Sequence, residues 1–315
     1  MAEPFLDEQQ WQQLGDEERV LREVSIRGSG CSGRGRIAVE RAAGAAENAP
    51  VRERWRAVAR ETVEIVARGS YVNGAGVGVP LGEQVGAAVA GTQLYLPEDE
   101  LAEPAAGGGA PVVEVTNETS LSAARRLGED VACLVFASAR NPGGGFLNGA
   151  QAQEESIARA SALYACQTAE PEFYAYHRSH SDLRYSDRVI YSPRVPVFRD
   201  DSGALLAQPY PVSFLTAAAP NLGAIRANQP ERAESVPAAL RSRAARVLAV
   251  AAAHRHRALV LGAWGCGVFG NDPALVAQTF AMLLPGAWGF DRVVFAVYDA
   301  APATPTYAAF ARVFG

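Results

Sequence analysis

Two stretches, VACLVFASA (residues 131–139) and RALVLGAW (257–264), are nearly continuous apolar runs, and each opens directly into glycines. A half-exposed strand would alternate apolar and polar residues, so these runs read as strands covered on both faces, a demand met by helices packed on each side of a parallel or mixed sheet. The surrounding pattern agrees. PVVEVTNETS, DRVIYSPRVPVFRD, YPVSFLTAAAP and FDRVVFAVYDA read as further strands. SLSAARRLG, QEESIARASALYACQ, ESVPAALRSRAARVLAVAAAHRH and the proline-led PALVAQTFAMLL read as helices. Strands alternating with helices specify an α/β fold, and ligands of such sheets bind beyond the carboxyl ends of the strands. Both glycine loops fall at such ends.

Upstream, the chain divides into three expected segments. Residues 1–50 carry RGSGCSGRGR and ERAAGAAENAP, small-residue stretches expected to be a flexible N-terminal extension. Residues 51–110 begin with an amphipathic helix closing on Gly69, continue through GEQVGAAVAGTQLYLP as helix then extended chain, and end in the linker EDELAEPAAGGGA. This helical accessory segment is expected to pack on a core formed by residues 111–315. Hydrophobic content of 49% suits a substantial core, and a net charge of −5 argues against general nucleic-acid binding through phosphate neutralisation. All basic charge comes from arginine; there is no lysine. Cys31, Cys133, Cys166 and Cys266 are widely spaced and form neither a zinc pattern nor a disulfide framework. The acidic N-terminus lacks an apolar signal core, and no run of about 18 apolar residues occurs, so a cytoplasmic protein without a membrane span is expected.

In NPGGGFLNGAQAQEE (141–155) a glycine run precedes two adjacent glutamates. Gly143, Gly144 and Gly145 either form a tight turn or let successive backbone N–H groups crowd an anion as a nest. Glu154 and Glu155 either stabilise a first helical turn through its dipole or serve a ligand. Adjacent helical residues point about 100° apart, so the two cannot form one carboxylate dyad and their roles must differ.

The second loop, GAWGCGVFGND (262–272), spaces Gly265, Gly267 and Gly270 as G-x-G-x-x-G. Its place near the C-terminus disfavours a dinucleotide dehydrogenase, whose fingerprint lies in the first βα unit. Trp264 reads as core, and Phe269, set between glycines, as a surface for stacking on a base or sugar. His177 and His180 lack a supporting carboxylate and make a poor metal site. His254 and His256 read as helix-terminal or surface residues. No nucleophile elbow appears, and no cysteine has an evident histidine base. Neither a metal nor a cofactor is expected.

Together, NPGGGFLNGAQAQEE, VTNETSL, FASARNPGGGF, GAWGCGVFGNDP and VVFAVYD resemble the bacterial-type branch of the poly(ADP-ribose) glycohydrolases, from about Val51 to the C-terminus. That resemblance implies a macrodomain-like three-layer α/β/α sandwich with a mixed sheet, and ADP-ribose bound along its strand ends. It implies that Glu155 is the catalytic acid, that Glu154 holds hydroxyls of the ribose bearing the scissile bond, and that Gln153 supports the loop. Asn141 would bond a ribose hydroxyl, Gly143 to Gly145 would approach that ribose and the diphosphate, and Gly265, Cys266, Gly267, Val268 and Phe269 would wrap the diphosphate. Thr116 and Asn117 would lie near the adenine end. The implied activity is hydrolysis of ribose–ribose O-glycosidic bonds in poly(ADP-ribose) carried on modified proteins, exo-acting, by a monomer that releases ADP-ribose and so reverses ADP-ribosylation. Glycosidic cleavage passes through an oxocarbenium-like state and needs a proton on the leaving oxygen, which a carboxyl half-enclosed in a cleft can supply. The alternatives are an ADP-ribose-binding reader, which needs the glycine loops but no ionisable residue at 155, and a hydrolase of mono-ADP-ribosylated protein or nucleic acid.

Overall fold

A computed structural model describes residues 49–102, 109–128 and 130–315. The extension expected over residues 1–50 therefore lies, but for its last two residues, outside the described chain.

The main sheet has seven strands. Five of them, β4 (Val112–Thr116), β5 (Val131–Phe136), β7 (Leu205–Ala217), β8 (Ala258–Leu261) and β9 (Arg292–Ala296), run parallel. β6 (Val189–Arg199) pairs antiparallel with β7, and the short β3 (Gln93–Tyr95) pairs antiparallel with β6. The spatial order is β3-β6-β7-β5-β8-β9-β4. A small hairpin, β1 (Ser70–Val72) with β2 (Gly78–Pro80), stands apart from the main sheet. The seven-stranded mixed sheet is thus the one the apolar runs require, and β3, from the segment upstream of the 98–110 linker, closes one edge of it.

The continuous apolar run of β5 has a direct explanation in its two faces. Ala132 and Leu134 point into one buried cluster, while Val131, Cys133 and Val135 point into another. The first cluster is completed by α8 (Val236–Ala253), α9 (Pro273–Leu283) and α10 (Pro305–Phe314). The second takes residues from α1 (Ala49–Arg68), α2 (Gly82–Ala90), α3 (Ser120–Leu127), α4 (Gln153–Ala160) and α5 (Leu163–Ala169). A strand with helices on both sides has no polar face to expose, so its period-2 signal disappears. The result is a three-layer α/β/α sandwich.

QEESIARASALYACQ, expected to be one helix, is two. Ser161 is extended (φ −144°, ψ 179°) and bridges Val197 of β6, while Ala162 N–H donates to the Pro196 carbonyl at 3.2 Å. The strand edge captures the backbone there, and the Ser161 hydroxyl bonds the Ile157 carbonyl that the helix leaves open. α6 (Pro171–Ser179) and α7 (Leu222–Asn228) complete the α-helices among the described residues, beside short 3-10 turns at Phe146–Asn148 and Pro230–Ser235. No helix among the described residues is long and apolar enough to cross a membrane.

Candidate active site

Because five strands are parallel, their carboxyl ends share one edge, and the loops after β5 and β8 meet there. β5 stops at Phe136, three residues earlier than its apolar run suggests, because a side chain takes over its ladder. Gln153, first residue of α4, accepts the Phe136 N–H (2.9 Å) and donates to the Leu134 carbonyl (2.8 Å) and to Ser120 Oγ (3.0 Å). Its amide thus fixes the first turn of α4 against the end of β5.

That turn carries the glutamates. Glu154 is 2% exposed; its Oε2 accepts the Ser138 N–H at 2.7 Å and its Oε1 accepts the Gln167 amide at 3.0 Å. Burial pushes its pKa up from 4.5 to about 8, with the Ser138 N–H and Gln167 amide pulling the other way and the neighbouring Glu155 adding to the rise. Glu155 is held differently, its Oε1 accepting the Gly145 N–H at 3.0 Å. The two carboxylates therefore have separate supports, as their angular offset on the helix demands.

The glycine turn serves these carboxylates rather than an anion nest. Gly143 and Gly144 have φ of +66° and +56°, a region glycine enters without strain. The turn points its N–H groups inward: Gly143 donates to Gln167 Oε1 (2.7 Å), Gly144 to the Asn141 carbonyl (3.0 Å), and Gly145 to Glu155. All three donors are engaged within the protein, so of the two readings of the glycine run the structure takes the tight turn. A Cβ at Gly144 would run into both Glu155 and Glu154. The Asn141 side chain is on an exposed residue, its backbone N–H bonded to Ser138 Oγ at 3.2 Å.

The second loop holds the open donors. Among the described residues no acceptor takes the N–H groups of Gly267, Val268 or Phe269. Gly265 (φ +72°) packs against Asn271 and Ala219, whereas space around Gly267 is open. Phe269 lies beside Tyr185, ring centroids 6.1 Å apart. Trp264 is fully buried and donates to the Ala217 carbonyl at 3.0 Å, a core residue as expected.

Two cavities meet at this edge. One, of about 300 Å³, is lined by Ser138, Glu154, Glu155, Gly265 and the 267–269 loop. The other, of about 580 Å³, reaches Thr119, Ser120, Cys266, Val297, Tyr298 and Trp55. They share Phe136, Ala152, Gln153, Ala263 and Gly267, so they lie side by side along this edge. Thr116 and Asn117 line neither. Thr116 accepts the Val297 N–H on its carbonyl, and the Asn117 side chain clamps the Asp299 backbone, accepting its N–H at 2.9 Å and donating to its carbonyl at 3.1 Å. Glu118, Thr119 and Ser120, immediately after them, reach the larger cavity instead.

Helix α1 supports the outer side of the site. Trp55 donates to Gln151 Oε1 at 3.0 Å, and its ring lies 4.8 Å under the Arg159 guanidinium. Arg159 is buried, bonded to the Ala150 carbonyl and Ser156 Oγ, and burial lowers its pKa to about 10. Trp55, Arg159 and Gln167 belong to no local motif. A polar Gln on the otherwise apolar face of LYACQ is the one sequence signal that marks Gln167.

Other candidates resolve structurally. His177 is buried between the Phe173 carbonyl and Ser186 Oγ, each 2.8 Å away, and burial lowers its pKa to about 4. His256, expected at the surface or as a helix-end residue, is 4% exposed and paired with the Tyr191 hydroxyl at 2.9 Å, because the chain turns back into the core before β8. Cys133, Cys166 and Cys266 are free thiols, and burial pushes Cys133 and Cys266 up to about 12 and Cys166 to about 11, unsuited to thiolate chemistry. Among the described residues no group of three His, Cys, Asp or Glu side chains is arranged to hold a metal.

Residues 59–200 match the family model of the microbial-type PARG catalytic domain. The fold is similar to poly(ADP-ribose) glycohydrolase from Thermomonospora curvata, at 55% identity and a TM-score of 0.79, over 84% of this chain and 100% of that one. The same enzyme bound to the inhibitor ADP-HPD matches at 57% identity and a TM-score of 0.77, over 83% and 99% of the two chains. The Deinococcus radiodurans poly(ADP-ribose) glycohydrolase in complex with ADP-ribose matches at 48% identity and 0.68, over 73% and 96%. No curated protein matches the chain significantly. With a seven-stranded α/β/α sandwich, a glycine turn braced on paired glutamates and such extensive similarity, this chain belongs to the microbial-type poly(ADP-ribose) glycohydrolase family.

Proposed function

We propose that this protein hydrolyses the ribose–ribose O-glycosidic bonds of poly(ADP-ribose), with Glu155 as general acid and base. The observation that carries this reading is the support of the two glutamates. Glu154 and Glu155 line one cavity, held by separate backbone donors, and Gly144 leaves space above both where any side chain would intrude. A module that only binds ADP-ribose has no use for a buried, raised carboxyl beside a second, cleft-facing one.

In this reading the diphosphate lies on the open N–H groups of Gly267, Val268 and Phe269, with Phe269 against a ribose. Glu154 receives hydroxyls of the distal ribose, and Asn141 reaches one from the rim. Gly143 to Gly145 shape the floor beneath that ribose, while Gly265 and Cys266 carry the second loop around the phosphates. The adenosine occupies the larger cavity, where Glu118 to Ser120 follow directly on Thr116 and Asn117. Glu155 gives its proton to the 2′-oxygen of the departing unit as the C1″–O bond breaks. It then takes a proton from the water that attacks C1″, which balances the hydrolysis and restores the acid. The diphosphate charge steadies the oxocarbenium-like state, and positioning supplies much of the remaining rate.

We further read the enzyme as exo-acting, since the smaller cavity beside the glutamates, about 300 Å³ and bounded by Trp264 and Phe269, suits one terminal ribose. Residues 111–315 then form the catalytic core, and 51–110 an accessory segment that adds β3 to its sheet and whose Trp55 braces the loop before α4. The substrate is polymer on modified proteins, the enzyme acts as a monomer, and the free thiols of Cys133, Cys166 and Cys266 favour a reducing cytoplasm. Incubation with automodified polymer and, separately, with mono-ADP-ribosylated protein tests the whole reading. Free ADP-ribose from the polymer alone supports it; retention of the polymer intact overturns it.

A further inference from the structure

Gln167 is fully buried on α5, and both ends of its amide are engaged. Oε1 accepts the Gly143 N–H at 2.7 Å, and Nε2 donates to Glu154 Oε1 at 3.0 Å and to Thr216 Oγ1 at 3.4 Å. A backbone N–H can only donate, so the atom facing Gly143 must be the oxygen, and the NH₂ is thereby directed at Glu154. The orientation of the amide follows from the glycine turn. That turn also delivers the Gly145 N–H to Glu155. One side chain therefore connects the conformation of the turn to both carboxylates.

We propose that Gln167 is a positioning residue for the reaction, tying the Gly143 turn to Glu154 so that the ionisation of Glu154 depends on the turn being formed. The inference rests on Glu154 and Glu155 being the working pair. An N–H donor favours a carboxylate over its acid, so Gln167 opposes the effect of burial on Glu154. The other donor to Glu154 is the Ser138 N–H. Among the described residues, the titratable groups facing Glu154 are Glu155 on its own helix and, from α6, Tyr174, whose buried hydroxyl has no hydrogen-bond partner there.

The test is the pH dependence of kcat for polymer hydrolysis in the full chain, with ADP-ribose affinity measured by calorimetry. Gln167→Met keeps the volume and removes the bonds to Gly143, Glu154 and Thr216. The expected result is a kcat lower by about tenfold or more, with the limb belonging to Glu154 displaced upward by about one pH unit, since loss of a donor to the anion favours the protonated form. Gln167→Glu keeps an acceptor for Gly143 and, while protonated, a donor for Glu154. Its activity is expected to approach that of the unaltered enzyme near about pH 5 and to fall away as the second carboxyl ionises. An unmoved limb in Gln167→Met, or a Gln167→Glu profile parallel to that of the parent, overturns the proposal and leaves Gln167 a packing residue. If the Met variant does not fold, the Glu profile decides alone. Loss of activity in Glu155→Gln together with an unmoved Gln167→Met limb sinks only this inference, whereas an active Glu155→Gln sinks the catalytic reading itself.

Discussion

The Gly145 N–H donates to Glu155 at 3.0 Å, while the Ser138 N–H, from the end of β5, donates to Glu154 at 2.7 Å. Neighbours in sequence are thus held by two different points of the loop between β5 and α4. A glutamine at 155 can still accept from Gly145 but has no proton to exchange. Glu155→Gln is expected to retain ADP-ribose affinity by calorimetry and to lose polymer hydrolysis by at least about 10², read as ADP-ribose release. Full turnover in this variant would falsify the assigned acid.

Gly144 and Gly267 make a matched pair of opposite sensitivity. Gly144 has φ of +56° and would press a Cβ into both carboxylates, whereas a Cβ at Gly267 meets nothing within 4 Å. Gly144→Val is expected to abolish measurable ADP-ribose binding and to lower Tm. Gly267→Ala should leave stability within about 0.5 kcal/mol of the parent. Unchanged affinity in Gly144→Val would show that the turn does not shape the site.

Stability should depend on pH from two buried groups with opposite signs. Glu154 titrates near 8 in the fold against 4.5 when unfolded, so its contribution is complete below about pH 4.5 and is lost as pH rises through 8. His177 titrates near 4 against 6.5, so its contribution is present above about pH 6.5 and is lost as pH falls through 4. The two slopes oppose each other between about pH 4.5 and 6.5, so thermal melts should give the highest, nearly level Tm there and a fall from about 6.5 to 8. Glu154→Gln should abolish the alkaline fall and, because nothing then offsets His177, show Tm rising from about pH 4 to about 6.5. Parallel profiles for variant and parent would remove Glu154 as the source.

Trp55 and Arg159 form a stack with ring centroid and guanidinium 4.8 Å apart, in which Arg159 is 4% exposed and, among the described residues, has no carboxylate bonded to it. Trp55→Leu removes the aromatic face from a buried cation and the donor from Gln151. A loss of about 1–3 kcal/mol in denaturant unfolding is expected, together with reduced kcat as the 146–151 loop loosens. Stability unchanged within error would mean that Arg159 is satisfied by Ala150 and Ser156 alone.

Much of the architecture is legible in the sequence. The uninterrupted run in β5 requires cover on both faces, and Ala132 and Leu134 do pack against one helical layer while Val131, Cys133 and Val135 pack against the other. The break at Ser161 was not legible, because the competitor for that backbone is β6, more than thirty residues away in sequence. His256 followed the same pattern, surface-like by position but buried beside Tyr191.

At the site, the sequence by itself determined which chemistry was available: two adjacent carboxylates that a helix must splay apart, glycines at strand ends, and no alternative nucleophile. Tertiary structure decided how the work is divided. The first glycine turn spends its N–H groups on Gln167, Asn141 and Glu155, and the second loop is the one left with open donors. The physical reason is that a residue's type and spacing fix what it can donate, accept or strain, whereas the partner that satisfies it is chosen by chain closure. Gln167 meets Gly143 and Glu154 only because α5, packed on β6, returns the chain to the turn that follows β5.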